Sequence, residues 1–377
     1  MNALRVGLGA SSLEPARGGA RLDGIGVYTE ALLRHLGTAG CQPSAWSYPG
    51  FGEGAASVTR GQALPRSFEA AMLADLLAPR ARRMRVGADI FHATDYRIAR
   101  MDCPVVATLH DALTIKHPEW CNPHLRRTKN WLQKKAAQKA DHVIALSQFA
   151  VAELVECFGV DERCISVVPC GVDQRWLEPC DAGAVGATLA EHGLRPGYFL
   201  SVGTLQPRKN IDRLLDAWLA LPAAVRKEHA LVVVGAPGWR CTELAARLRA
   251  ARQDCHDVRW LHRIDNADTL RQLYAGAGAF VFPSLYEGFG IPLVEAFASG
   301  IPVIASNTTS LPGVTRGAAI DIDPLDTGAM TAAMLALVAE PALRARCVKA
   351  GRARALELTW RATAAQTAAV YRAVLAR

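Results

Sequence analysis

Apolar residues fall along this chain in short, β-branched runs separated by longer stretches of helical spacing. Leu4–Ala10, Ala88–Ala93, Pro104–Leu109, Asp141–Leu146 and Ile165–Pro169 read as strands in the first half. Tyr198–Gly203, Ala230–Gly235, Val258–Leu261, Ala279–Phe282, Ile301–Ala305 and Gly317–Ile322 read as strands in the second. Runs that are apolar throughout, not alternating, predict parallel strands covered on both faces. Between them, Val27, Ala31, Leu32 and Leu36 share one helical face, Ser147 caps a helix over Gln148–Cys157, and Trp360–Leu375 forms an alanine-rich last helix. The rhythm predicts two α/β units, and 377 residues exceed one ordinary core. Glu178–Pro196 lacks strong periodicity and is read as holding the linker.

The chemistry gathers where the apolar runs end. Ala279–Phe282 stops at Pro283 and leads into Ser284–Gly300, SLYEGFGIPLVEAFASG. Pro292 suits a first helical position, where its missing N–H would be unpaired anyway. Gly288 and Gly290 allow close backbone approach just before that helix, whose N-terminus is an anion site. Glu287 precedes the turn and Glu295 is expected in the first helical turn. Dipole compensation would account for Glu295 alone, but not for two acids, two glycines and a proline together. The turn after Tyr198–Gly203 places Arg208 and Lys209 at a carboxyl edge, facing whatever anion the Gly290 turn holds. His110 and Asp111 end Pro104–Leu109, and ligands bind at such edges in open α/β sheets. A glycine-rich loop (Gly18, Gly19) runs on to Gly24-Ile25-Gly26, where a helix begins.

Glu287 and Glu295, separated by seven residues with Gly-Phe-Gly-Ile-Pro between, resemble the signature of the retaining family-4 glycosyltransferases of GT-B fold. The resemblance covers nearly the whole chain. It implies two Rossmann-like domains facing a cleft: an acceptor-side domain (1–180), a nucleotide-sugar domain (181–357), and a last helix (358–377) crossing back to the first. It further implies that Arg208, Lys209 and the turn Gly288, Phe289, Gly290 and Ile291 cradle the donor diphosphate, with Gly24 and Gly26 contributing from the first domain. Glu295 is expected on the ribose hydroxyls, Glu287 near the reacting carbon of the sugar, His110 beside the donor sugar, and the turn His262–Asn266 at the base. Asp265, next to Ile264, would accept hydrogen bonds from a guanine edge. Gly24-Ile25-Gly26-Val27-Tyr28 and His117-Pro118-Glu119-Trp120 are similar to bacterial mannosyltransferases of polysaccharide and O-antigen assembly, which implies GDP-mannose as donor. A UDP-sugar is the alternative donor, and a non-catalytic sugar-nucleotide-binding relative a further one.

Composition narrows the rest. Half the residues are hydrophobic and a fifth charged, as in a globular protein, and no apolar stretch is long enough to span a membrane. The N-terminus lacks the apolar centre of a signal peptide. Ten scattered cysteines form no Cys-x-x-Cys pair, so neither zinc nor a disulfide framework is expected. Gly7-x-Gly9 lacks the acidic ribose ligand in the register a dinucleotide oxidoreductase needs. Asp321-x-Asp323 ends a strand and Asp326 can cap the next helix, so no metal is expected there and no cofactor is required. A net charge of +8 favours anionic partners, though no nucleic acid is implied. Within His117–Lys139, read as one basic helix, lie Arg126, Arg127, Lys129, Lys134, Lys135 and Lys139 with Trp120 and Trp131. A cytoplasmic enzyme, peripheral on the inner membrane face and acting on a glycan or polyprenyl-diphosphate-linked acceptor, fits that cluster.

Overall fold

The computed structural model describes residues 3–14, 22–77, 83–253, 257–262, 264 and 266–377. Its strands build two sheets. The first holds β1 (Leu4–Gly9), β2 (Cys41–Ser47), β3 (Gln62–Ala63), β4 (Ile90–Ala93), β5 (Val105–Leu109), β6 (His142–Ala145) and β7 (Ile165–Val167), in the order β3-β2-β1-β4-β5-β6-β7. The second holds β8 (Tyr198–Val202), β9 (Leu231–Val234), β10 (Val258–Leu261), β11 (Ala277–Phe282), β12 (Val303–Ser306) and β13 (Ile320–Ile322), in the order β10-β9-β8-β11-β12-β13. All pairings are parallel. Every residue of β4, β5, β6, β9 and β12 is buried, which is why those strands read as mainly apolar runs, with buried polar residues such as His92 and Thr108 hydrogen-bonded to each other. Strand order reverses between β1 and β4 and again between β8 and β11. In open α/β sheets ligands bind beyond the carboxyl ends of the strands at such a reversal.

The chain divides into two units. The first comprises Met1–Pro118, Pro123–Cys170 and Trp360–Arg377, and the second Glu119–Asn122 and Gly171–Thr359. The helix Trp360–Leu375 thus belongs to the first unit. It buries Trp360, Thr363, Ala364, Thr367, Ala368, Tyr371 and Val374, a single face at helical spacing. The Thr363 hydroxyl donates to the Pro169 carbonyl at 2.8 Å, and Arg372 Nη2 to the Ala39 carbonyl at 2.6 Å.

Several expected elements differ. Glu178–Pro196, read without strong periodicity, holds a helix, Ala182–Glu191, capped by Asp181 accepting from the Ala184 N–H, and Thr188 donates to Gln272 at 2.6 Å. The segment His117–Lys139 is not one helix. Pro118–Trp120 forms a 3-10 turn, and the basic helix spans only Arg126–Ala137. Asn122-Pro123 explains the break, because proline disfavours helical backbone in the residue before it. Trp120 and Trp131 therefore lie on different elements. Strands β2 and β3 had no clear signal. Pro43 sits inside β2, tolerated because β3 pairs with β2 only at Trp46 and Ser47, leaving an edge beside the proline.

Candidate active site

Beyond the carboxyl ends of β8 and β11, two turns are fastened together. The Leu285 N–H donates to the Arg208 carbonyl at 2.7 Å. Asn210 adopts left-handed backbone at φ 58°, a conformation that asparagine tolerates better than most residues. Its amide donates to the Pro283 carbonyl at 3.1 Å and the Pro324 carbonyl at 2.7 Å. With that scaffold, Arg208 Nη1 reaches Glu287 Oε2 at 2.9 Å and the Tyr286 carbonyl at 3.0 Å. Lys209 Nζ reaches Glu287 Oε1 at 2.5 Å and lies 4.9 Å from the centre of the Phe282 ring. Lys209 and Glu287 are both buried. Burial opposes ionisation of Glu287, but the charges of Arg208 and Lys209 outweigh it and hold the carboxyl down to about 2. Two cations thus share one carboxylate.

The main chain adds to this. The Ser310 hydroxyl donates to the Glu287 carbonyl at 2.8 Å, and Thr309 Oγ1 accepts from the Glu287 N–H at 3.3 Å. Gly290 takes φ 101° at the N-cap of the helix Ile291–Ala298, which has no side-chain cap. A Cβ there would meet Leu311 Cδ2 at 2.9 Å, so glycine is required on two counts. Gly288 and Phe289 are buried and Ile291 is half-buried. The helix begins at Ile291, one residue ahead of Pro292, so Pro292 is second in the helix and Glu295 lies past its first turn. Glu295 is instead fixed by the Tyr274 hydroxyl, whose single proton is shared between Glu295 Oε2 and the Pro292 carbonyl, each at 3.2 Å. Ile264 is half-buried, just beyond β10 at the outer edge of the sheet. Asp265 lies outside the described residues. Asp323 Oδ1 accepts from the Leu325 N–H, and Asp326 Oδ1 from the Ala329 N–H, each at 2.8 Å. Both acids serve the local turn and helix start.

In the first unit, His110 is buried immediately after β5. Its Nε2 donates to the Thr94 carbonyl at 2.8 Å, beyond the end of β4, so Nδ1 is the basic nitrogen of the neutral ring. Burial lowers the His110 pKa by more than the Thr94 carbonyl and the carboxylates of Asp111, Asp95 and Asp23 raise it. The helix expected after Gly24-Ile25-Gly26 begins at Gly24 itself, capped by Asp23, whose Oδ1 accepts from the Gly26 N–H at 2.9 Å. Gly26 is buried, and a Cβ there would lie 3.0 Å from Leu22 and 3.3 Å from the Ser12 carbonyl. Gly24 has open space around it. The loop holding Gly18 and Gly19 lies outside the described residues.

The structure therefore brings Arg208, Lys209, Glu287 and Gly290 together, with Glu295 on the same helix, while His110, Gly24 and Gly26 belong to the first unit. Sequence reasoning passed over Asn210, Tyr274, Thr309 and Ser310. Of these only Asn210 had a local signal, an asparagine between two cations and a helix start.

Comparison with known proteins fits this arrangement. The family model described as Glycosyltransferase Family 4 matches residues 22–176, and that described as Glycosyl transferases group 1 matches residues 190–354. The O-antigen chain mannosyltransferase B of Escherichia coli is 30% identical over 289 residues, covering 75% of this chain and 74% of that one. An MMP alpha-(1->4)-mannosyltransferase of Mycolicibacterium hassiacum is 30% identical over 294 residues, covering 74% of this chain and 68% of that one. Among solved structures, a sucrose-phosphate synthase from Thermosynechococcus elongatus superimposes with a TM-score of 0.75 at 22% identity, over 99% of each chain. The chain belongs to the family-4, group 1 glycosyltransferases and has their GT-B fold of two Rossmann-like domains.

Proposed function

We propose that this glycosyltransferase moves mannose from GDP-mannose, with retention of anomeric configuration, onto a glycan or polyprenyl-diphosphate-linked acceptor of a bacterial surface polysaccharide. The observation that carries the reading is the Arg208–Lys209–Glu287 cluster beside an uncapped helix N-terminus at the β8/β11 reversal. When the bond from the anomeric carbon to the diphosphate oxygen breaks, that oxygen keeps the electron pair and negative charge grows on the leaving group. Fixed cations and backbone N–H groups aimed at that charge stabilise the transition state without a metal, and removing one such element typically costs about 2.7–4 kcal/mol. Glu287 holds the two cations in place. Both of its oxygens are engaged by them, which argues against a covalent carboxylate nucleophile and for attack by the acceptor hydroxyl on the face the diphosphate leaves. The proton of that hydroxyl then passes to the departing phosphate oxygen. Glu295, oriented by Tyr274, binds the donor ribose, and Ile264 contacts the base. His110, Gly24 and Gly26 are the donor-contacting candidates of the first unit. Mannose is favoured by the names of the two relatives above.

Nucleotide release from GDP-mannose and from UDP-glucose, measured after exhaustive chelation, tests this. Turnover of GDP-mannose without added metal, giving an α-linked product by NMR, is expected. Turnover of the UDP-sugar alone would overturn the donor, and a strict need for Mg²⁺ or Mn²⁺ would overturn the metal-free mechanism.

A membrane surface is the second partner we assign. No helix among the described residues is long and apolar enough to cross a membrane. The helix Arg126–Ala137 carries Arg126, Arg127, Lys129, Lys134 and Lys135, with Leu125 and Trp131 largely exposed (59% and 47%). Each cation near an anionic leaflet contributes about 1 kcal/mol, which salt would weaken. Sedimentation with anionic liposomes at low salt, but not with neutral ones or at high salt, is expected. Equal recovery in the supernatant under all conditions would remove the membrane from the account.

A further inference from the structure

We propose that Tyr28 is the positioning residue for the His110 imidazole, and that a buried hydrogen-bonded chain through Thr108 and His92 ties Tyr28 to Tyr371 of the C-terminal helix. The inference rests on the reading of His110 as a group beside the donor sugar. The ring of Tyr28 meets that of His110 edge-on, with centroids 5.4 Å apart and planes at 87°. Its hydroxyl lies 2.9 Å from Thr108 Oγ1, which in turn lies 2.8 Å from His92 Nε2. His92 Nδ1 lies 2.6 Å from the Tyr371 hydroxyl. All four side chains are completely buried.

Burial, with the neighbouring His110, pushes His92 down to about 3, so its ring is neutral and one nitrogen donates while the other accepts. The Thr108 hydroxyl, with one proton and two lone pairs, is engaged on both sides. Such a chain leaves each ring one orientation, whereas an apolar set of the same volume would fill the space without fixing angles. That matters for His110. Its hydrogen bond to Thr94 fixes one atom and the tautomer, but the plane of the ring can still turn about that bond. The edge of Tyr28 on one side, and Tyr96 at 6.4 Å, fix the plane. Tyr96 is held in its turn by Asp111, donating to its carbonyl at 2.8 Å and accepting from its N–H at 3.0 Å. The Gly24-Ile25-Gly26-Val27-Tyr28 segment thus contributes a ring to the site as well as glycines, and the C-terminal helix acts on His110 from within the same unit.

The test compares full-length Tyr28→Leu, Tyr28→Phe and Tyr371→Phe with His110→Ala, all assayed well below their unfolding temperatures. Tyr28→Leu is expected to lower kcat about tenfold to a hundredfold, as misplacement of a reacting group does, with donor KM nearly unchanged. It should also raise the pKa governing the acid limb of kcat, because water admitted beside His110 relieves the burial that depresses it. Asp111, Asp95 and Asp23 are the carboxylates acting on that ring, and His92 the neighbouring imidazole. Tyr28→Phe keeps the ring and should restore most of the loss, and Tyr371→Phe should shift the profile in the same direction by less. Wild-type kcat and pH profile in all three tyrosine variants, with His110→Ala impaired, would overturn the inference alone. Normal turnover by His110→Ala would overturn the reading beneath it.

Discussion

Glu287 decides how the two cations of the second unit behave. An arginine and a lysine side by side repel each other, and burial discourages the charge of each. A carboxylate bridging them at 2.9 and 2.5 Å offsets both effects. Breaking such a buried cluster by removing one partner costs about 3–5 kcal/mol. The folded-state pKa of Glu287, about 2, lies below the value of 4.5 expected for an unperturbed glutamate. Its contribution to stability is therefore complete above about pH 4.5 and is lost as pH falls towards 2. Chemical denaturation should accordingly show Glu287→Gln less stable than wild type by roughly 3 kcal/mol at pH 7, with the gap closing below pH 4. A gap independent of pH would mean that the carboxylate is not held ionised by its neighbours.

At the scale of elements, the helix Ile291–Ala298 and the helix Trp360–Leu375 make different demands. The first needs its N-terminus left open, and Gly290 provides that at a backbone angle other residues resist. Gly290→Ala combines about 1–2 kcal/mol of left-handed strain with a clash against Leu311, so a lower thermal midpoint and weaker donor binding are expected together. Loss of neither would show that the turn adapts freely. The second needs small residues where it packs. Ala364 and Ala368 are fully buried, and Ala368→Leu should destabilise the protein by about 1–3 kcal/mol through overpacking, read by denaturant titration. An unchanged midpoint would contradict the close packing of that face. Both helices were legible in the sequence, one from glycine, proline and acid spacing, the other from alanines at i, i+4. Their partners were not. Asn210 bonds to carbonyls 73 and 114 residues away, and Tyr274 orients Glu295 from 21 residues away. Only folding makes those pairs neighbours. The single basic helix read over His117–Lys139 failed for a local reason instead, since Asn122-Pro123 interrupts it.

Across the whole molecule the same plan appears twice. Each unit carries a parallel sheet whose strand order turns back on itself, between β1 and β4 in one and β8 and β11 in the other. The interior strands were readable because burial on both faces makes them mainly apolar. β2 and β3 were not, because an edge position tolerates proline and polar residues. The chemistry follows the reversals. Thr94, which fixes His110, comes directly after β4, and Arg208, Lys209 and Glu287 come after β8 and β11. If the cations of that second cluster receive the donor, they receive its diphosphate. Calorimetric titration of GDP and GMP into wild type and Lys209→Ala tests it most directly. Wild type is expected to bind GDP much more tightly than GMP, and Lys209→Ala to lose most of that difference while its affinity for GMP hardly changes. Equal preference for GDP over GMP in both proteins would contradict it.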